Sequence, residues 1–219
     1  MSEYHPTKIS KVKRAHERGH YDHETVHAVL DSSPFCHVAY VIDGQPYTTP
    51  TLKWRVGSTL FWHGSSASKM LRNQKSGARV CLTVTHFDGY VMARSPFHHS
   101  ANYRSAMAFG TAHSIDDQAE KEAALHVMME QLFAGRWDDV RSNTDQELKA
   151  TTVLCMEIEE AAAKIRTGGP IDDEEDYDLG CWAGVIPIVA TFGTPIDDDR
   201  LASGIEYPDY LKGLPGTSL

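Results

Sequence analysis

Between positions 36 and 114, apolar and polar side chains alternate in short stretches broken by Gly, Asp, Ser and Pro. A period of two is the mark of a strand with one buried face. Residues 36–42 form one such run, and Asp43-Gly44 is a strong hairpin signal into a second at 47–55. Val56-Gly57-Ser58 turns the chain into a third, 59–63. A Gly/Ser-rich bend then opens a short helix beginning near Ser66 or Ala67 and running to Gln74. Residues 79–85 and 90–95 read as a further pair joined across Phe87-Asp88-Gly89, and 103–114 as a long strand. Five or six antiparallel strands with short turns and one inserted helix suit a closed or partly closed barrel. Residues 151–158 supply the last strand.

Three stretches carry the helical period instead. Asp22 can cap a helix over 23–30 with Val26, Val29 and Leu30 as its apolar stripe. Asp116 or Asp117 caps the longest helix, reaching about Phe133, whose stripe is Leu125, Met128, Met129, Leu132 and Phe133. A short helix falls near 145–149. Residues 1–21 are polar and basic and read as a flexible arm, 22–167 as the folded barrel domain, and 168–219 as an extended acidic tail. Within that tail, residues 181–188 are an apolar island too short to build its own core. The island must dock, on its own barrel or on a partner subunit.

Composition narrows the function. With 41% hydrophobic and 23% charged residues the chain is an ordinary globular protein. A formal charge of −9 argues against nucleic-acid binding, which needs a basic face. The four cysteines show no CxxC spacing, and three sit in apolar strand-like runs, as buried free thiols do. The N-terminal stretch has no apolar segment, and no run of 18 apolar residues occurs, so the expectation is a cytoplasmic protein without a membrane partner.

Candidate chemistry is sparse. Twelve histidines include the adjacent His98 and His99, but no HExxH or Cys/His knuckle is present, and no metal site is expected. No GxSxG elbow, Walker motif or GxGxxG occurs. What remains is the bend after His63. A strand, small hydroxyl-bearing residues and a helix start together make a phosphate cradle, with backbone N–H groups and the helix dipole both favouring an anion. Ser65, Ser66 and Ser68 add hydroxyls, and Lys69 adds a charge. Pro46 and Pro50 mark the preceding strand as an edge or a bulge, where free backbone groups can hydrogen-bond a planar ligand. A second cluster, 95–105, carries Tyr103 and Arg104, a phosphate-binding or stacking pair by type.

The stretches GQPYTTPTLKWR, LFWHGSSASKMLR, VCLTVTHFDGYVMARSPFHHSANYRSAMAFGTA and ELKATTVLCMEIEEAAAKIRTG resemble the flavin-binding split-barrel superfamily named after pyridoxamine 5'-phosphate oxidase, and within it the nitroimidazole-resistance-like branch. The resemblance implies a mainly β (α+β) fold, a six-stranded antiparallel split β-barrel with flanking helices. It also implies a homodimer with FMN in each inter-subunit cleft. Thr49, Pro50, Thr51 and Leu52 would then offer backbone contacts to the isoalloxazine, with Lys53 close by. His63 would end its strand near the flavin, and as a histidine, which titrates near neutral pH, it is the candidate catalytic proton source. Ser65, Ser68 and Lys69 would face the phosphate, Tyr103 and Arg104 would line the cleft, and Trp182 would come from the tail. The resemblance names no substrate, and the first expectation is an NAD(P)H-dependent oxidoreductase acting on a small electrophile such as a nitroaromatic. The alternatives are a non-catalytic FMN carrier or sensor and a haem-binding split-barrel protein.

Overall fold

A computed structural model describes residues 2–218. Nine strands and five α-helices follow in chain order. Helix α1 (His23–Asp31) is capped by the Asp22 carboxylate, which accepts from the Thr25 amide. Its Val26, Val29 and Leu30 are buried in the barrel mouth, each contributing roughly 1.5–3 kcal/mol of burial. Strands β2 (Phe35–Ile42) and β3 (Gln45–Val56) form the expected hairpin. Asp43 and Gly44 both take positive φ, 51° and 78°, the two-residue turn whose twist suits a hairpin. Strand β4 (Thr59–Ser65) follows, then helix α2 (Lys69–Gln74), β5 (Ser76–Met92) and β6 (Ser100–Ser114). The rest comprises α3 (Gln118–Leu132), α4 (Arg136–Asp139), α5 (Asp145–Ala150), β7 (Thr151–Glu157), β8 (Glu160–Arg166) and β9 (Gly184–Pro187), with β1 (Gly19–His20) near the start.

Pairing in the order β6-β7-β4-β3-β2-β5 returns to β6, so six antiparallel strands close into a ring. This is the split barrel. Its interior sets bulky Trp62, Leu60, Leu82 and Val38 against the small Ala106, Ala108 and Ala112 of β6. Gly110 belongs to the same row, because a Cβ there would lie 2.3 Å from the Glu157 carbonyl oxygen. A second cluster outside the ring stacks Trp54 on Phe61 and packs both against Leu125 and Met128 of α3.

Three local expectations are corrected. The hairpin expected across Phe87-Asp88-Gly89 is a bulge instead, and β5 runs straight through it with a register shift between Phe87 and Gly89. Gly89 is there for close approach, since its Cβ would meet the Ile186 carbonyl oxygen of β9 at 2.6 Å. Second, 151–158 is not the last strand: β8 pairs β6, and β9 pairs the far end of β5. Glu160–Arg166 has the composition of a helix, but three consecutive buried alanines fit the crowded face of β6, and packing overrides propensity. Third, the helix expected from Ser66 or Ala67 starts at Lys69. Residues 65–68 form a tight turn closed by the Ser68 amide on the Ser65 carbonyl (2.9 Å).

Both chain ends pack on the ring. Within the arm at 2–21, Tyr4 is buried, stacks on His23 and meets His27 at 2.7 Å, while β1 pairs β8. The tail docks on its own barrel through β9 and beyond, where the Ile188 amide reaches the Asp88 carbonyl. No helix among the described residues is long and apolar enough to cross a membrane.

Candidate functional site

Strand β3 has two halves with different neighbours. Lys53–Val56 pairs β4, but Gln45–Leu52 pairs β2 alone, so β3 and β4 diverge beyond the Lys53–Trp62 pair. The hydrogen-bond parity follows from one contact, the Lys53 amide donating to the Pro34 carbonyl at 2.8 Å. Odd-numbered residues of β3 therefore bond to β2, and even-numbered residues turn their backbone groups into the split. Pro46 and Pro50 fall on that outward side, where a missing N–H costs no ladder bond. Only Thr48 and Leu52 present N–H groups there, and neither has a partner among the described residues.

Across the split stand the end of β4, the turn and α2. The Ser65 hydroxyl accepts from the Ala67 amide (3.2 Å), and the Ser68 hydroxyl caps α2 by accepting from Leu71 (3.5 Å). Each oxygen accepts one of these bonds, which leaves both O–H groups to donate. Lys69 reaches back over the opening: its Nζ lies 3.1 Å from the Tyr47 hydroxyl and 4.8 Å from the centre of that ring. Tyr47 stacks on Tyr40, whose hydroxyl meets Thr49 Oγ1 at 3.0 Å. The Tyr47 contact holds the exposed Lys69 ammonium above its ordinary pKa, and no carboxylate pairs with it among the described residues.

Thr49, Pro50, Thr51 and Leu52 thus stand on the β3 side of the opening and His63, Ser65, Ser68 and Lys69 on β4, the turn and α2, with the Lys69–Tyr47 contact linking the two sides. His63 packs its ring 5.9 Å from Trp54, and its Nδ1 is buried without a partner. Burial lowers its pKa, so the imidazole is neutral near pH 7 and has only a neutral N–H to donate. Lys53 follows Leu52, but its side chain enters the barrel mouth below α1 and lines a separate cavity with Asp31 and Arg55.

Tyr103 and Arg104 lie elsewhere within one chain. Arg104 pairs in register with His86, about six residues along β5 from the level of Tyr47 and so roughly 20 Å away. Its guanidinium is held bidentately by Asp88 at 2.9 and 3.0 Å. Trp182 is 66% exposed and folds over Gly184 on the tail. His98 and His99 sit at a turn, not in a strand: His99 Nδ1 donates to the Ser95 carbonyl, and His98 approaches Asp173. Sequence reasoning passed over Tyr40, Tyr47, the Asp88 counter-ion and the outward amide of Thr48. The even spacing of Pro46 and Pro50 was the available signal for the last.

Residues 22–165 match the family model for pyridoxamine 5'-phosphate oxidase. The chain belongs to the pyridoxamine 5'-phosphate oxidase family. Two solved structures are similar over nearly its whole length. The flavocytochrome Anf3 from Azotobacter vinelandii is 40% identical with a TM-score of 0.89, covering 94% of this chain and 95% of that one. An FAD- and haem-binding protein from Mycobacterium smegmatis is 36% identical with a TM-score of 0.86, over 91% and 98%. A Bacteroides thetaiotaomicron protein assigned to 5-nitroimidazole antibiotic resistance is 22% identical with a TM-score of 0.54, over 66% and 84%, and speaks for the fold alone. No curated protein matches the chain.

The slot of this family member fits a flavin on its own chemistry. Unpaired strand amides suit the polar edge of an isoalloxazine, and an uncompensated lysine with two donor hydroxyls suits a phosphate.

Proposed function

We propose that this protein binds a flavin nucleotide in the split between β3 and β4 and works as an oxidoreductase. The supporting observation is the pairing of two unbonded amides, Thr48 and Leu52, with the carboxylate-free ammonium of Lys69 at the other end of the slot. The ring edge lies along Thr49–Leu52, and the phosphate against Ser65, Ser68 and Lys69. Two relatives above 30% identity are a flavocytochrome and an FAD- and haem-binding protein, which favours a flavin. The slot itself reads only the FMN portion, which FMN and FAD share. We take FMN as the cofactor, with FAD the other outcome of the test.

The flavin, when bound, supplies two-electron chemistry between a nicotinamide and a small electrophile such as a nitroaromatic. The chain supplies position and electrostatics. The amides of Thr48 and Leu52 orient the ring edge, Lys69 balances the phosphate, and His63 can donate only from its neutral imidazole. A second copy of the chain completes the site. Phe35, Val41 and Met107 stand 45–56% exposed on the outer sheet face, an apolar surface suited to a homodimer. The partner copy then brings Tyr103, Arg104 and Trp182 towards the cleft.

Haem as an additional group is the second reading, favoured by both relatives. His99 fits a ligand, because the Ser95 carbonyl fixes its Nδ1–H and leaves Nε2 free. The visible spectrum of the purified protein and the mass of its acid-released chromophore test all of this. Flavin bands support the first reading, and an added Soret band lost in His99→Ala supports the second. A colourless protein that takes up neither FMN nor FAD overturns the flavin assignment.

A further inference from the structure

A cavity of about 510 Å³ opens at the mouth of the barrel beside the slot, between α1, the start of β2, the end of α3 and the tail. Its walls are mostly carbon: Pro34, Trp54, Leu132, Phe133 and, from the tail, Phe192. The polar groups around it are mostly committed already. Asp31 grips Arg55 through two hydrogen bonds. The Gln131 amide donates to the Arg55 carbonyl (2.9 Å), and the Ser32 hydroxyl is shared between the Val29 carbonyl and His86 Nε2, both at 2.8 Å.

One charge is left over. Lys53 is only 4% exposed, and its ammonium has no hydrogen-bond or ion partner among the described residues. Asp31 and Arg55 cancel, so the cavity carries a net charge of one positive unit supplied by Lys53. An unpaired buried cation is costly to keep. Burial already pushes the Lys53 pKa down, which a bound anion would reverse. A volume of this size with apolar walls suits a small organic molecule.

We propose that this cavity binds a monoanionic aromatic carboxylate, its carboxylate on Lys53 and its ring between Trp54, Phe133 and Phe192. The inference deepens the function proposed above by naming a substrate class, and the binding itself does not need the flavin. A dianion is disfavoured because only one charge is uncompensated, and a neutral ligand leaves Lys53 unpaired.

The test is calorimetric titration of the full chain, as purified with whatever cofactor it holds, using 2-naphthoate and its neutral isostere 2-naphthamide. Naphthoate should bind about tenfold or more tightly than the amide, the scale of one charge-assisted hydrogen bond. Lys53→Met should erase that preference. Leu132→Trp, which fills the cavity and leaves Lys53 in place, should abolish binding of both probes and covers the case in which Lys53→Met fails to fold. Equal affinity of the two probes for the unaltered protein, or unchanged naphthoate binding in Leu132→Trp, overturns the proposal. Flavin content, read from the visible absorbance of the same samples, separates this result from the cofactor assignment: a colourless protein that still prefers naphthoate upholds the cavity and sinks only the flavin.

Discussion

Lys69 and Arg104 are both cations that the sequence offers to a phosphate, yet the structure gives them different chemistry. Arg104 lies against a carboxylate, bonded bidentately to Asp88 under the tail strand. Lys69 lies against a phenol, which orients the ammonium without neutralising it. An anion meeting Arg104 must compete with Asp88, whereas one meeting Lys69 competes only with water. The neighbour, more than the residue type, decides whether a cation can serve a ligand.

The sharpest way to break this contrast is to remove the Lys69 side. Lys69→Ala combined with Ser68→Ala should weaken flavin binding roughly 10- to 100-fold, by loss of charge-assisted phosphate bonds. Fluorescence titration with FMN checks it, and unchanged affinity would remove the cradle from the site.

Lys53 extends the contrast to a cation bonded to neither a carboxylate nor a phenol, its neighbour Asp31 being held by Arg55. Lys53→Met should raise the unfolding free energy by about 1 kcal/mol or more, since an unpaired buried ammonium is replaced by carbon. Its folded pKa is lowered below the ordinary 10.5, so the unfolded chain holds more protons in the window between the two values. Stability of the unaltered protein should therefore rise as pH increases through that window. Urea melts across alkaline pH should show the rise, and Lys53→Met should lack it.

The Asp88 side gives the smallest effect. Arg104 holds the Asp88 carboxyl below its ordinary range, so this pair stabilises above the unfolded carboxyl pKa and is lost as pH falls through the lowered folded one. Both partners are partly open to solvent, which discounts the pair to about 1 kcal/mol or less. Asp88→Asn should cost that amount at neutral pH and flatten the acid limb of the stability profile. If flavin binding by the single chain also falls in Asp88→Asn, Arg104 and the slot are coupled more closely than the geometry allows.

Much of the barrel was legible because its strands alternate cleanly and its turns carry Asp-Gly and Gly-Ser. Asp22 and Asp117 announced their helices, and both cap them. Strand β8 was illegible because alanine specifies no strand by itself; only the small-residue row of β6 makes a run of alanines the right filling. Gly89 misled for a related reason. A glycine after an aspartate signals a turn, but here it clears space for β9, ninety-five residues further on and invisible to local pattern.

The site divides the same way. The local part of the proposed site, His63 to Lys69, is a motif on consecutive residues and needs no tertiary information to be put forward. The Tyr47 partner of Lys69 and the Asp88 partner of Arg104 belong to other strands, so charge compensation could not be read along the chain. Lys53 was grouped with the slot by its sequence neighbours, and strand alternation sends its side chain into the barrel mouth instead.

Amide hydrogen exchange at Thr48 and Leu52, resolved residue by residue with and without saturating FMN, probes the open strand edge itself. Without flavin both amides should exchange far faster than those of Tyr47, Thr49 and Thr51, which bond to β2, and with flavin both should slow. If flavin binds and leaves the exchange of Thr48 and Leu52 unchanged, the cofactor does not lie in the split between β3 and β4.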